Sequence, residues 1–139
     1  MLKQHFFITV IALLIMAFPT VEVSQANENT IDYSQGDIKK ALNDGKTVFV
    51  DYAADWCGTC KRQERVINKL RSENPAYNKA ITFVRVDLDL FRSDEVATSR
   101  NIPRRSTLLV LKGEKELGRI VAGTSESDIK ALMDLGLTN

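Results

Sequence analysis

The chain is poor in the residues that carry most metal and cofactor chemistry. Its 139 residues include two cysteines, one histidine, one tryptophan and three prolines. A structural zinc site usually draws four ligands from Cys and His. With two cysteines and a lone His5 far from both, the chain argues against a self-contained zinc site. Covalent haem attachment needs a histidine directly after the second cysteine, and Lys61 stands there instead. Nineteen basic residues against eighteen acidic ones leave a formal charge of +1, so no basic surplus points to nucleic acid. Long like-charge runs, internal repeats and low-complexity tracts are absent. The apolar run Phe6 to Phe18 has 13 residues, short of the roughly 20 that span a bilayer.

That run has the layout of an export signal. Lys3 supplies a positive charge before it, Pro19 breaks it, and Ser24 and Ala26 place small residues ahead of a cleavage point after Ala26. The expectation is a signal peptide over residues 1–26, with retention as an N-terminal anchor as the alternative. Either way the rest of the chain is expected in the periplasm or another exported compartment, where disulfides persist. Taking 26 residues from 139 leaves 113, enough for one compact domain.

Both cysteines lie in Asp55-Trp56-Cys57-Gly58-Thr59-Cys60-Lys61. Thiols at this spacing can close into a small disulfide ring and reopen with little backbone movement. At a helix N-terminus, unpaired N–H groups and the helix dipole favour the Cys57 thiolate, the form that attacks disulfides. A purely structural bridge is the alternative, though so short a loop constrains the unfolded chain little.

The pattern around the motif predicts α-β-α-β-α-β-β-α. A lead-in over residues 27–36 precedes a helix at Asp37 to Asn43, which Asp44-Gly45 stops. Thr47 to Ala53 reads as a buried central strand. A helix follows from Cys57 or Gly58 to Ser72 with Val66, Ile67 and Leu70 inward, then a helical turn around Ala76 to Lys79 after Asn74-Pro75. Ile81 to Leu88 is a strand and Ser93 to Arg100 a helix. Thr107 to Leu111 and Leu117 to Ala122 form a hairpin. Thr124 or Ser125 caps a last helix that turns Ile129, Leu132 and Met133 inward. This order implies an α/β domain with a central mixed sheet and helices on both faces. The cysteines fall at a strand's carboxyl end and a helix's amino end.

Strand, Trp56-Cys57-Gly58-Thr59-Cys60-Lys61, helix, strand, helix, hairpin and helix together resemble the thioredoxin family, from about Asp37 to Leu137. Ala54 to Cys57, Cys60-Lys61 and Asn74 to Ala80 look closest to one branch, the C-terminal periplasmic domain of the transmembrane disulfide reductase, and to small exported thioredoxin-like proteins of bacteria. The resemblance implies a thioredoxin fold over residues 37–139. Cys57 would be the attacking thiol and Cys60 the resolving thiol. Trp56 would frame the site around Gly58 and Thr59, with Lys61 adding positive potential or standing as a solvated helix charge. Asp51 lies in an apolar strand where an unpaired charge is costly. It matches a buried family acid proposed to take the resolving thiol's proton, and burial would raise its pKa for that task. The alternatives are that Asp51 turns to solvent or simply pairs with Arg85, which aligns with a family lysine.

Three positions depart from the family pattern. Ser106 falls where the family has a cis-proline beside the cysteines, and Pro103 comes three residues early. The Arg105–Ser106 bond is then expected to be trans, since a non-proline cis bond costs a few kcal/mol. Arg104 and Arg105 would flank the substrate groove, there favouring acidic partners or serving as ordinary surface charge. Ala53 stands where many relatives have a second tryptophan, and Arg65 where they have a helix-kinking proline. Gly123 matches a family glycine that admits partner backbone, or else ends a strand.

The implied function is an exported protein-disulfide reductase or electron relay. It would use no cofactor beyond the cysteine pair, act on protein thiol and disulfide clients, take electrons from a membrane donor and work as a monomer. Gly58-Thr59 contains no histidine of the kind strongly oxidising relatives use, so the oxidase direction is the runner-up. A redox-inert binding or chaperone module is the reading from another class. Capture of a metal or iron–sulfur cluster between two subunits is a third, opened by the missing proline.

Overall fold

The computed structural model describes residues 29–138; the expected signal segment lies outside them. Five strands form one mixed sheet: β1 (Thr30–Asp32), β2 (Thr47–Ala53), β3 (Ile81–Asp87), β4 (Thr107–Lys112) and β5 (Lys115–Val121), in the order β1-β3-β2-β4-β5. β3 runs parallel to β1 and β2, while β4 is antiparallel to β2 and β5. The helices are α1 (Asp37–Asn43), α2 (Gly58–Glu73), α3 (Ala76–Ala80), α4 (Leu88–Phe91), α5 (Glu95–Thr98) and α6 (Glu126–Asp134).

β2 lies at the centre of the sheet, and its alternation sorts the core. Val48, Val50 and Tyr52 face a cluster with Ile38 of α1, Val96 and Ala97 of α5, and Leu109 and Leu111 of β4. Phe49 faces the other way, against Ile67 and Leu70 of α2, Tyr77 of α3 and Ile129, Leu132 and Met133 of α6. Ala53, at the carboxyl end of β2, joins Ala54 and both cysteines in a third cluster. Because side chains two apart share a face, Asp51 sits between Phe49 and Ala53 on the α2 side. The chemistry is thus built at the end of the most buried strand.

The Tyr52 hydroxyl crosses the first cluster and donates to the Val96 carbonyl at 2.7 Å, fully buried. Tyr52→Phe removes this bond and little volume. The expected cost is about 1–2 kcal/mol, read as a lower urea midpoint with an unchanged slope. An unmoved midpoint would show that the bond contributes nothing.

Three elements differ from the sequence expectation. The lead-in contributes edge strand β1, whose three mostly exposed residues are too short to show a period. Val86 to Leu90 alternates apolar and acidic residues like an extending strand, yet the chain turns into α4 at Leu88 because the Asp87 carboxylate accepts the Asp89 N–H at 2.9 Å. The expected helix from Ser93 shrinks to α5, capped by the Asp94 carboxylate, which accepts the Val96 N–H.

Candidate active site

Cys57 is the N-cap of α2, in extended conformation, and its sulfur accepts the Cys60 N–H at 3.2 Å. No acidic residue occupies the first turn of α2, so nothing there offsets the positive end of the helix dipole. Cys57 and Cys60 are joined as a disulfide with Cα atoms 5.3 Å apart, inside the span a disulfide bridges. Cys57 is 7% exposed and Cys60 3%. Gly58 and Lys61 are exposed and Thr59 half-buried on the first turn. Bare backbone at Gly58, with nothing within 4 Å of where a Cβ would stand, leaves room beside Cys57.

Ser106, not Pro103, faces the sulfurs. Its hydroxyl lies 3.3 Å from Cys57 Sγ and 3.2 Å from Cys60 Sγ, and Pro103 is exposed. No peptide bond among the described residues is cis, and Ser106 has φ +63°. Its N–H donates to the Tyr52 carbonyl at 2.8 Å. Proline, with φ near −65° and no N–H, cannot take this geometry.

Asp51 lines a cavity of about 180 Å³ under α2 with Glu64, Ile67, Arg71 and Arg85. Its Oδ1 is buried without a hydrogen-bond partner. Burial is the main force raising its pKa from 3.8 to about 7; nearby Glu64 adds to the rise and Arg85 opposes it. Arg85 stands beside Asp51 in the β2–β3 register, yet its guanidinium reaches Asp55 at 2.7 Å instead. The half-buried Asp51 carboxyl thus keeps an unpartnered Oδ1 while Arg85 pairs elsewhere, and burial pushes its pKa up to about 7.

Trp56 is 66% exposed but fixed in place. Its indole N–H donates to Asp89 at 2.7 Å, and the Arg105 guanidinium lies 4.5 Å from the ring centroid. Arg105 also pairs with Asp89, and together Trp56 and Arg105 hold that carboxyl below its ordinary range. Arg105 thus spends its charge inside a rim beside the cysteines; Arg104 is exposed.

A family model described as thioredoxin matches residues 29–135. The chain belongs to the thioredoxin family. It is similar to thioredoxin H-type 2 of Nicotiana tabacum, 30% identical over 70% of this chain and 78% of that one. Thioredoxin-1 of Saccharomyces cerevisiae is 32% identical over 65% of this chain and 81% of that one. The crystal structure of Trxlp from Edwardsiella tarda superposes with a TM-score of 0.65 at 30% identity, covering 74% of this chain and 97% of that one. With its Cys57–Cys60 pair, the protein is a thiol–disulfide oxidoreductase of the thioredoxin family.

Within that thioredoxin frame, Gln63 and the rim carboxylate Asp89 are site residues that the sequence pattern did not point to. Gln63 is the more deeply placed. It is wholly buried on the inward stripe of α2 with Cys60, Ile67 and Leu70. Its amide donates to the Ser106 carbonyl at 3.1 Å and the Gly123 carbonyl at 2.8 Å, tying helix, serine loop and strand end together. A polar residue three positions after Cys60, on the face pointing inward, was the available signal. Gly123 is held through this bond, and a Cβ there would meet Ile120 at 2.9 Å.

The rim yields a direct prediction. Arg105→Ala should raise the quenching of Trp56 fluorescence by a neutral quencher, because Trp56 is the only tryptophan and loses the cation over its ring. Stability should fall by less than about 1 kcal/mol, as for exposed ion pairs. Unchanged quenching would show that Arg105 does not hold the indole.

Proposed function

We propose that the protein is an exported reductase that passes two electrons from a Cys57/Cys60 dithiol to disulfides of client proteins. A dithiol-bearing membrane donor then recharges it. The observation that carries this reading is the pair of cysteines at the amino end of α2 with a carboxyl titrating near 7 behind them. Export rests on the pattern of Lys3, Phe6 to Phe18 and Ala26. The finer kinship to the periplasmic reductase domain rests on Ala54 to Cys57 and Asn74 to Ala80. No cofactor beyond the cysteine pair enters the scheme, and a monomer suffices for it.

The proposed exchange runs in two attacks. Cys57 thiolate attacks one sulfur of a client disulfide; a Cys57–client bond forms, the client bond breaks, and the leaving sulfur is protonated. Asp51 takes the proton of Cys60, directly or through water. Cys60 then attacks Cys57 Sγ, the internal disulfide reforms, and the client leaves with both sulfurs reduced. Trp56 and its Asp89–Arg105 rim frame the approach.

The test is reduction of a protein disulfide such as insulin in the presence of dithiothreitol, together with equilibration of the Cys57–Cys60 pair against a glutathione buffer. Catalysed reduction, and a potential below that of glutathione-poised oxidants, is the expected result. A strongly positive potential with rapid oxidation of client thiols would establish the opposite direction. Absence of exchange in either direction would leave a binding module.

A further inference from the structure

The Ser106 hydroxyl has an unusual station: a single oxygen within 3.3 Å of both sulfurs of the redox pair. The rest of the residue is locked. Its N–H is bonded to the Tyr52 carbonyl at 2.8 Å, and its own carbonyl accepts from the Ala122 N–H at 2.8 Å and from the Gln63 amide at 3.1 Å. It is 0% exposed, and a non-glycine residue at φ +63° persists only where its surroundings over-determine it. With both backbone groups engaged, the hydroxyl proton can still rotate, and the sulfurs are within its reach.

A serine hydroxyl has one proton to donate. Toward a neutral disulfide sulfur that donation is weak, but toward a thiolate it is charge-assisted and about twice as strong as between neutral groups. The bond therefore strengthens when the disulfide opens. We propose that Ser106 is a catalytic hydrogen-bond donor of the exchange reaction, its hydroxyl following the negative charge from one cysteine sulfur to the other. This rests on the oxidoreductase reading and goes beyond it.

The sequence of events balances without any change at the serine itself. When the disulfide opens, the Cys60 N–H that points at Cys57 Sγ favours the charge on Cys57, and the Ser106 hydroxyl donates to it from its place beside both sulfurs. When Cys57 attacks, its electron pair enters the new bond to the client sulfur, and the departing client sulfur takes the pair of the broken bond and a proton. Cys57 is then neutral, and the hydroxyl turns to Cys60, 3.2 Å away. As the Cys60 thiol gives its proton to the nearby base, the hydroxyl stabilises the new thiolate. Cys60 attacks Cys57 Sγ, the internal bond forms, and the second client sulfur leaves as a thiolate. Two electrons have moved from the dithiol to the client, and the serine has transferred neither proton nor electron.

Ser106→Ala removes the hydroxyl and keeps the Cβ. Ser106→Gly removes it while also relieving the left-handed backbone, so a fault in folding alone separates the two. In both, the pKa of Cys57, read from thiolate ultraviolet absorbance across a pH series, should rise by about one unit. The equilibrium with glutathione should shift about tenfold toward the protein disulfide, equivalent to about 30 mV more negative. A filler role for the serine would move neither readout. If both variants titrate and equilibrate like an active wild type, the proposal is overturned and the oxidoreductase reading stands. A wild type without exchange activity overturns both.

Discussion

A protein carrying Asp51→Asn is expected to resist urea better than wild type by about 4 kcal/mol at about pH 8, and by almost nothing at about pH 4. The cause is the carboxyl in the cavity beneath α2. Its pKa is raised from 3.8 to about 7, chiefly by burial, and each unit corresponds to about 1.4 kcal/mol. The sign is the reverse of the usual carboxylate. The folded protein holds this proton more tightly than the unfolded chain, so unfolding releases it and stability falls as pH rises from about 4 to about 7. Above that window both states are ionised and the whole penalty remains. Asparagine keeps the volume and carries no charge, so it escapes the penalty where wild type suffers it. Asp51 as a residue is half-buried, which makes about 4 kcal/mol an upper figure. Denaturation curves at a series of pH values decide the matter. An equal gain at every pH would mean that ionisation is not the cause.

The same substitution should slow client reduction, by about a hundredfold if Asp51 is the base for Cys60, with the loss greatest at the resolving step. Mixed disulfide would then accumulate even though attack by Cys57 continues. A group that lowers stability at neutral pH and raises the rate is what a local rule broken at a functional site looks like. Its persistence in the most buried strand needs some such compensation, because Asn at this position would satisfy the fold better.

How far the sequence reached depends on how much each feature is signalled locally. β2 is a near-continuous apolar run, α2 and α6 carry helical periods with caps, and α1 ends on Asp44-Gly45, so their boundaries lie within a residue or two of the expectation. β1 is too short to show a period, and at the start of α4 the alternation is that of a strand. β1 exists because β3 offers it an edge, and α4 because one aspartate captures one N–H. Both were decided by contacts rather than by propensity.

The site follows the same division. Cys57 and Cys60 are legible as a motif, and Asp51 as a charge out of place in an apolar strand. The cluster of Trp56, Asp89 and Arg105 joins two loops and α4, and no local spacing announces it. Arg105 reads in the sequence as a groove charge for acidic partners or as ordinary surface charge, and no local pattern shows that Asp89 holds it. Likewise Arg71, a charged residue on α2, is 1% exposed, bonded to Asn78 and Thr30 and stacked on Phe83. Packing, not pattern, turned these side chains.

Cys57→Ser should reduce client disulfide turnover to the uncatalysed rate, while Cys60→Ala should complete one attack and stop. The asymmetry follows from the two sulfurs' surroundings. Cys57 Sγ sits at the helix cap with the Cys60 N–H directed at it, and is the less buried of the pair at 7% against 3%. A serine hydroxyl at the same place stays protonated and cannot attack a disulfide, so nothing downstream can begin. In Cys60→Ala the thiolate at Cys57 still forms its bond to the client, but no second sulfur is present to break it. The expected product is a covalent adduct that survives a non-reducing gel, disappears on reduction and has the mass of protein plus client. Recovered from the native compartment, the adduct also identifies the client. Exchange at the wild-type rate by Cys57→Ser would remove the chemistry from this cysteine altogether. An adduct formed as readily by a Cys57→Ala protein would hand the attacking role to Cys60, against the burial and the donor geometry alike.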